Sequence, residues 1–255
     1  MIVLKNPAQL DKMRAAGALL HDVLQRLREV IKPGETTGAI DAYAESLIRR
    51  NKAVPSFLGY HGYPKSICTS VEDEVVHGIP SDDVVLKEGT ILSLDCGLIL
   101  DGWQADSAFT VGIGQISPQK QALIDVTEAC FFAGAKAAAE GNRLGDIGAA
   151  VQAIAESHGY GVIRDLTGHG IGRAMHEDPS VPNYGTAGHG VKLKSGMTLA
   201  IEPMIAMGGW RVMQLDDGWT IKTLDGTPCA HYEHTVAIAK GRAEILTLPG
   251  HVFPA

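Results

Sequence analysis

The stretch Lys87-Glu88-Gly89-Thr90-Ile91-Leu92-Ser93-Leu94-Asp95 returns 107 residues later as Lys194-Ser195-Gly196-Met197-Thr198-Leu199-Ala200-Ile201-Glu202. Each copy opens on a lysine, turns at a glycine, runs apolar and ends in a carboxylate. A short apolar run behind a glycine reads as a buried strand. The same offset carries Gly34, Gly38 and Ile40 onto Gly141, Gly145 and Ile147. Ahead of the first copy, Asn6 and Pro7 form a cap and first helical position, and Leu10, Met13, Leu20, Val23, Leu24, Leu27 and Val30 recur at helical spacing until Lys32-Pro33-Gly34. A second helix is expected from about Thr37 to Arg50. Ahead of the second copy the programme repeats: a helix from Ser117-Pro118 to about Glu140, a stop at Gly141-Asn142, and a helix over roughly 144–158. Two helices and an antiparallel sheet segment, twice over, predict an α+β fold of two pseudo-symmetric halves, about 1–113 and 114–255, within a single domain spanning 1–255.

Composition narrows the function classes. The 255 residues are 45% apolar, and 22 Lys+Arg stand against 29 Asp+Glu, a net charge of -7. Such a chain buries a core, so disordered, fibrous and disulfide-framework classes are excluded. The acidic balance argues against a general binder of nucleic acid or anionic membrane. Cys68, Cys96, Cys130 and Cys229 form no CxxC pair and suit a reducing compartment. There is neither a signal-peptide core nor an apolar run of about 18–20 residues, so a cytoplasmic location is expected.

The carboxylates carry the chemistry. Asp95 lies in an apolar strand among Leu92, Leu94 and Leu98. An ionised group there is costly unless it is paired or bound to metal. Asp101-Gly102 is a two-residue hairpin turn. It sets Asp106 opposite Gly97, and Gly97 shares a face with Asp95. The two acids then lie diagonally, roughly 7 Å apart at Cβ, a reach that suits two metals about 3.5–4 Å apart. Glu202 repeats the buried acid, and Glu233 lies in Cys229-Ala-His-Tyr-Glu-His-Thr-Val-Ala-Ile-Ala239, read as one strand. Four carboxylates on four strands of a duplicated fold read as a metal cage.

Histidines accompany them. In Thr167-Gly-His-Gly-Ile-Gly-Arg-Ala-Met-His176 the glycines argue against a helix, and no helix follows to cradle a phosphate. His169 is a candidate ligand and His176 a candidate donor to substrate. His77 is a weaker candidate before a turn. His231 and His234 flank Glu233, but HxxH outside a helical frame is a weak zinc signal, so both read as structural or supporting. Serine-hydrolase and P-loop motifs are missing.

Asp95 with Asp106, Gly-His-Gly-Ile-Gly with a histidine seven residues after the first, Glu202-Pro203-Met204 and Tyr232-Glu-His-Thr235 resemble the type I methionine aminopeptidases. GYHGYPKS (59–66), HGIP (77–80) and DGW (101–103) follow the family order, and the likeness runs nearly end to end. It implies the duplicated "pita-bread" fold and removal of the initiator methionine from new chains with a small second residue. It implies Asp95, Asp106, His169, Glu202 and Glu233 as ligands of two divalent ions, with Asp106 and Glu233 bridging them. A metal-bridging hydroxide would be the nucleophile, Glu202 its general base, and His77 and His176 the groups that contact the scissile amide. Oxygen-rich ligation favours Mn, Fe(II) or Co, with Zn usable. Phe57, Tyr60, Tyr63, Cys68, Met175 and Trp219 match the methionine pocket, with Phe57 and Met175 replacing a commoner Cys and Phe. Gln104 stands where relatives often carry His. The implied partners are nascent polypeptide N-termini and the ribosome, without specific nucleic acid or membrane, for a monomer.

Two rivals share the fold. X-Pro aminopeptidases and dipeptidases usually carry an extra N-terminal domain, whereas this chain opens on its first helix. Non-catalytic binding relatives lose ligands and gain basic tails, and here every candidate ligand is present in an acidic chain.

Overall fold

The computed structural model describes residues 1–251. The first half comprises α1 (Pro7–Val30), α2 (Thr37–Arg50), β1 (Val54–Pro55), β2 (Ile67–Val71), β3 (Glu74–Val76), β4 (Ile91–Leu100) and β5 (Trp103–Gly112). The second comprises α3 (Pro118–Ala137), α4 (Leu144–Ser157), β6 (Gly161–Val162), β7 (Gly168–Gly170), β8 (Glu177–Val181), β9 (Thr198–Ile201), β10 (Met204–Ala206), β11 (Val212–Gln214), β12 (Ile221–Thr223), β13 (Cys229–His231), β14 (Glu233–Ala239) and β15 (Arg242–Ile245).

The helices begin where their caps dictate. Asn6 Oδ1 accepts from the Gln9 N–H while Gln9 Oε1 accepts from the Asn6 N–H, a reciprocal cap ahead of Pro7. Thr36 caps α2 and Ser117 caps α3. The third helix stops at Ala137, short of the expected Glu140, because Asn142 Nδ2 donates to the Ala137 carbonyl.

The 107-residue offset holds in three dimensions. It carries α2 onto α4, residue for residue at both ends. It carries the isolated bridge Thr36–Val85 onto Arg143–Lys192. It carries the bonds Gly34 N–H to Leu86 C=O and Leu86 N–H to Glu35 C=O onto Gly141 to Leu193 and Leu193 to Asn142. Gly34 and Gly141 both take positive φ, 88° and 98°.

The main sheet has nine antiparallel strands, with the path β1-β4-β5-β14-β9-β7-β8; β2 also pairs β4 and β15 also pairs β14. In one half α1 and α2 cover β4 and β5 through Leu20, Leu27, Ile40, Leu94, Leu98 and Phe109. In the other, Phe131 and Ile147 pack on Leu199, Ile201, Val236 and Ile238. Burying a leucine-sized side chain contributes roughly 1.5–3 kcal/mol, so these layers fix the sheet that carries the polar groups. The halves meet along β5 and β14, which pair only at Glu233–Ala108 and His234–Ser107. Beyond each end of this short ladder a threonine replaces it. The Thr235 hydroxyl accepts from the Asp106 N–H and donates to the Asp106 carbonyl. The Thr110 hydroxyl does the same for His231.

Two expected strands are broken. Met197–Ala206 splits into β9 and β10 because Pro203 has no N–H for a ladder. The second piece joins a separate sheet of order β13-β10-β6. Cys229–Ala239 splits likewise at Tyr232, whose N–H donates to the Pro203 carbonyl.

Candidate active site and metal centre

Register brings the predicted ligands together. The β4–β5 hairpin turns at Asp101-Gly102 and pairs Gly97 with Asp106, as the spacing requires. In spatial order Asp95 on β4, Asp106 on β5, Glu233 opening β14, Glu202 one residue past β9 and His169 on β7 come from five adjacent strands of the main sheet. Glu202 therefore sits at a strand end, not within a strand as expected. Its carbonyl accepts from Asn183 Nδ2, which steadies the break. Asp106 is 3% and Glu233 2% exposed, while Asp95 and Glu202 keep some exposure.

Asp106, His169 and Glu233 each offer a ligand atom within 4.8 Å of the others, and so do Glu202, His231 and Glu233. Asp95 Oδ1, Asp106 Oδ1 and Glu233 Oε1 are buried without a hydrogen-bond partner among the described residues. Buried carboxylate oxygens left unpaired are rare in folded proteins and call for a cation. His169 Nδ1 donates to the Gly170 carbonyl at 2.8 Å, which leaves Nε2 as an open lone pair 3.7 Å from Glu202 and 3.8 Å from Asp106. This donor set, oxygen-rich with neutral imidazole, fits divalent metal.

Electrostatics agree. Burial pushes Asp95 up to about 7, although hydrogen bonds from Asp106 and the Cys96 backbone oppose it. Burial, then Glu233 and Asp95, hold Asp106 well above the usual carboxylate range. Burial, then Asp106 and Asp95, raise Glu202; burial, then Glu202 and Asp95, raise Glu233. Without positive charge such a cluster keeps protons that exposed carboxylates would lose. Burial lowers His169 to about 4 and His231 to about 3, so both rings are neutral.

Above the carboxylates lies a cavity of about 430 Å³ lined by all five predicted ligands, by His77 and His176, and by the six predicted pocket residues. Its apolar wall is Phe57, Tyr63, Cys68 and Met175, with Tyr60, Ile79 and Trp219 packed on them. Phe57 and Met175 both rest on Gly97, where an added Cβ would come within 2.9 Å of Phe57 and 3.2 Å of Met175. The Tyr63 ring meets Trp219 edge-on at 5.1 Å, and its hydroxyl donates to the Ile67 and Gly78 carbonyls. All four cysteines are free and buried.

The histidines occupy the rim. His176 Nδ1 lies 2.8 Å from the Tyr60 hydroxyl, and its ring packs 4.2 Å from that of His169. With the phenol donating, the neutral His176 ring carries its proton on Nε2. His77 adopts φ 60°, an uncommon conformation for a side-chain-bearing residue, and faces Trp219. Burial lowers the pKa of both histidines. The His176 loop is tied down by Glu177, which accepts from the Arg173 and Ala174 N–H groups and from buried Lys5 Nζ at 2.6 Å. Gln104 is buried; its Oε1 accepts from Ser56 at 2.6 Å and its N–H donates to the Gly172 carbonyl. It braces this same loop.

Three groups at the site are not singled out by the sequence as functional: His61, which lines the cavity, Ile79, which packs on its apolar wall, and His231. His61 and Ile79 have no periodic signal. His231 had one: two residues before Glu233, it points into the site, whereas His234 turns away to Ser107 and Thr247.

Comparison with known proteins agrees with this geometry. The family model of metallopeptidase family M24 matches residues 11–240. A methionine aminopeptidase of Clostridium acetobutylicum is 52% identical over 248 residues, 97% of this chain and 99% of that one. The crystal structure of methionine aminopeptidase from Thermotoga maritima superposes with a TM-score of 0.95 at 44% identity, covering 97% of this chain and 99% of its own. The Xaa-Pro dipeptidase of Bacillus anthracis shares the fold at a TM-score of 0.77 and 19% identity, and this chain covers 61% of it. Among the described residues no helix is long and apolar enough to cross a membrane. The chain belongs to metallopeptidase family M24, among its type I methionine aminopeptidases.

Proposed function

We propose that this aminopeptidase uses two divalent ions, held by Asp95, Asp106, His169, Glu202 and Glu233, to remove methionine from nascent chains whose second residue is small. The unpaired buried oxygens of Asp95, Asp106 and Glu233 beneath an apolar cavity carry the reading. When bound, the ions supply Lewis acidity and an activated water, chemistry for which Mn, Fe(II) and Co suit this donor set.

The chain's own groups do the rest. The wall formed by Phe57, Tyr63, Cys68, Met175 and Trp219 takes the unbranched, polarisable methionine side chain and excludes water. His176, its Nδ1 engaged by Tyr60, donates from Nε2 to the scissile carbonyl as that oxygen gains charge. His77, which also lines the cavity, faces the scissile amide. Glu202 takes the proton of the attacking water at a carboxylate oxygen and later returns it to the leaving amine; its position at the end of β9 leaves that carboxylate open to the cavity. The ribosome is the expected source of substrate, in the cytoplasm, for a monomeric enzyme.

The test is a peptide panel across several metals with bound metal counted. Met-Ala-Ser is cleaved, while Ala-Ala-Ser and Pro-first peptides are spared. Equal turnover of all three, or none with any metal, overturns the assignment.

A further inference from the structure

We propose that His231 is itself a metal ligand, so that the centre holds two imidazole donors and six side chains instead of five. This rests on the dinuclear reading and adds one donor to it. The observation is a pairing of triads. Asp106, His169 and Glu233 form one compact donor group, and Glu202, His231 and Glu233 form another. Glu233 belongs to both, and Glu202 lies between the rings, with Oε1 3.7 Å from His169 Nε2 and Oε2 3.9 Å from His231 Nε2. His231 Nε2 is also 3.7 Å from Glu233 Oε2.

These distances discriminate between roles. A ring N–H that held Glu202 or Glu233 by a hydrogen bond would lie about 2.7–3.2 Å from its acceptor. Donors about 2.0–2.2 Å from one ion lie roughly 3 Å apart at right angles and about 4.2 Å apart when opposed. The spacings at His231 fall in the second range and repeat the 3.7 and 3.8 Å spacings of His169. His231 is 2% exposed, and its Nε2 has no hydrogen-bond partner among the described residues. The Thr110 hydroxyl grips both its N–H and its carbonyl, which fixes the backbone from which the ring projects. An imidazole so held, aimed at two carboxylates and bonded to neither, is a built donor position.

The consequence is chemical. With His169 alone, the centre holds a single nitrogen donor among oxygens. With His231 the centre carries a second imidazole, which shifts it from manganese toward cobalt, nickel and zinc.

The test counts imidazoles on the metal in the full chain loaded with cobalt(II), with bound cobalt measured alongside. X-ray absorption of the wild-type protein should show an average of one imidazole per cobalt, and paramagnetic proton spectra two strongly shifted, exchangeable ring N–H signals. His231→Gln should halve the count, remove one signal and weaken the second cobalt about tenfold or more. Two bound cobalt ions with half an imidazole each in the wild-type protein overturn the proposal and leave the dinuclear reading standing. Uptake of fewer than two ions overturns both. An unchanged imidazole count in His231→Gln also overturns it, even with weakened binding, because that is what a hydrogen-bonding role would produce.

Discussion

Asp95 and Glu202 occupy the same place in the two halves, yet the chain around them differs. Asp95 lies mid-way along the ten-residue strand β4, with β2 on one side and β5 on the other. Glu202 follows the four-residue strand β9 and precedes Pro203, where the ladder ends. One half therefore holds its acid rigidly between two neighbours. The other offers a longer side chain at a break, open to the cavity. A duplicated scaffold has thus supplied two buried acids, and in the proposed mechanism the strand break in one copy separates holding a cation from moving a proton.

The largest effect should come from exchanging each acid for its amide. Glu202→Gln should lower turnover by about 10³-fold or more, and it removes one donor while leaving the others in place. Asp95→Asn should lower metal content first, with turnover recovering as metal is raised. Steady-state kinetics with metal counted at each concentration separates the two. If Asp95→Asn cannot be rescued, or Glu202→Gln can, the division of labour between the halves is wrong.

The offset, the four helices and the Asp101-Gly102 hairpin were legible in the sequence because each has a local cause: a cap, a turn, a period. The convergence of Asp95 and Asp106 was legible too, since a two-residue turn fixes register. The position of His169 beside Glu202 came only with the family resemblance, because it depends on β7 pairing with β9 across a distance in sequence. The split at Pro203 was signalled by the missing N–H and was overridden by an apolar run. The HxxH spacing of His231 and His234 is a weak signal, whereas strand alternation sets His231 on the face of Glu233. Its neighbour His234 points the other way, into hydroxyls of Ser107, Thr247 and Tyr232.

A smaller effect separates the metal centre from the rest of the molecule. Asp95 is raised to about 7, and Asp106, Glu202 and Glu233 are raised well above the usual carboxylate range, chiefly by burial. Their ordinary values lie near 4, so in the stripped protein the folded state binds more protons than the unfolded state between those limits. The stability they contribute is present below about pH 4 and is lost as pH rises through 7 and beyond. Bound metal compensates the ionised carboxylates and removes that loss. Melting curves with metal and with chelator, from about pH 5 to about pH 8, should therefore diverge as pH rises. A constant gap would mean that the carboxylates do not share the cost.

The smallest effect tests whether the halves are equivalent away from the site. Gly34 and Gly141 end corresponding loops, take φ of 88° and 98°, and have no heavy atom within 4 Å of an added Cβ. Alanine at either position meets no neighbour, so its cost is the left-handed backbone alone, roughly 1–2 kcal/mol. Gly34→Ala and Gly141→Ala should each lower stability by this amount in urea unfolding, and the double variant by about the sum. Unequal costs would place the asymmetry of the molecule in its helical scaffold. Equal costs, beside unequal effects of Asp95→Asn and Glu202→Gln, would confine it to the strand break at Pro203, where one copy of a common frame gave up a ladder and left its carboxylate open to the cavity.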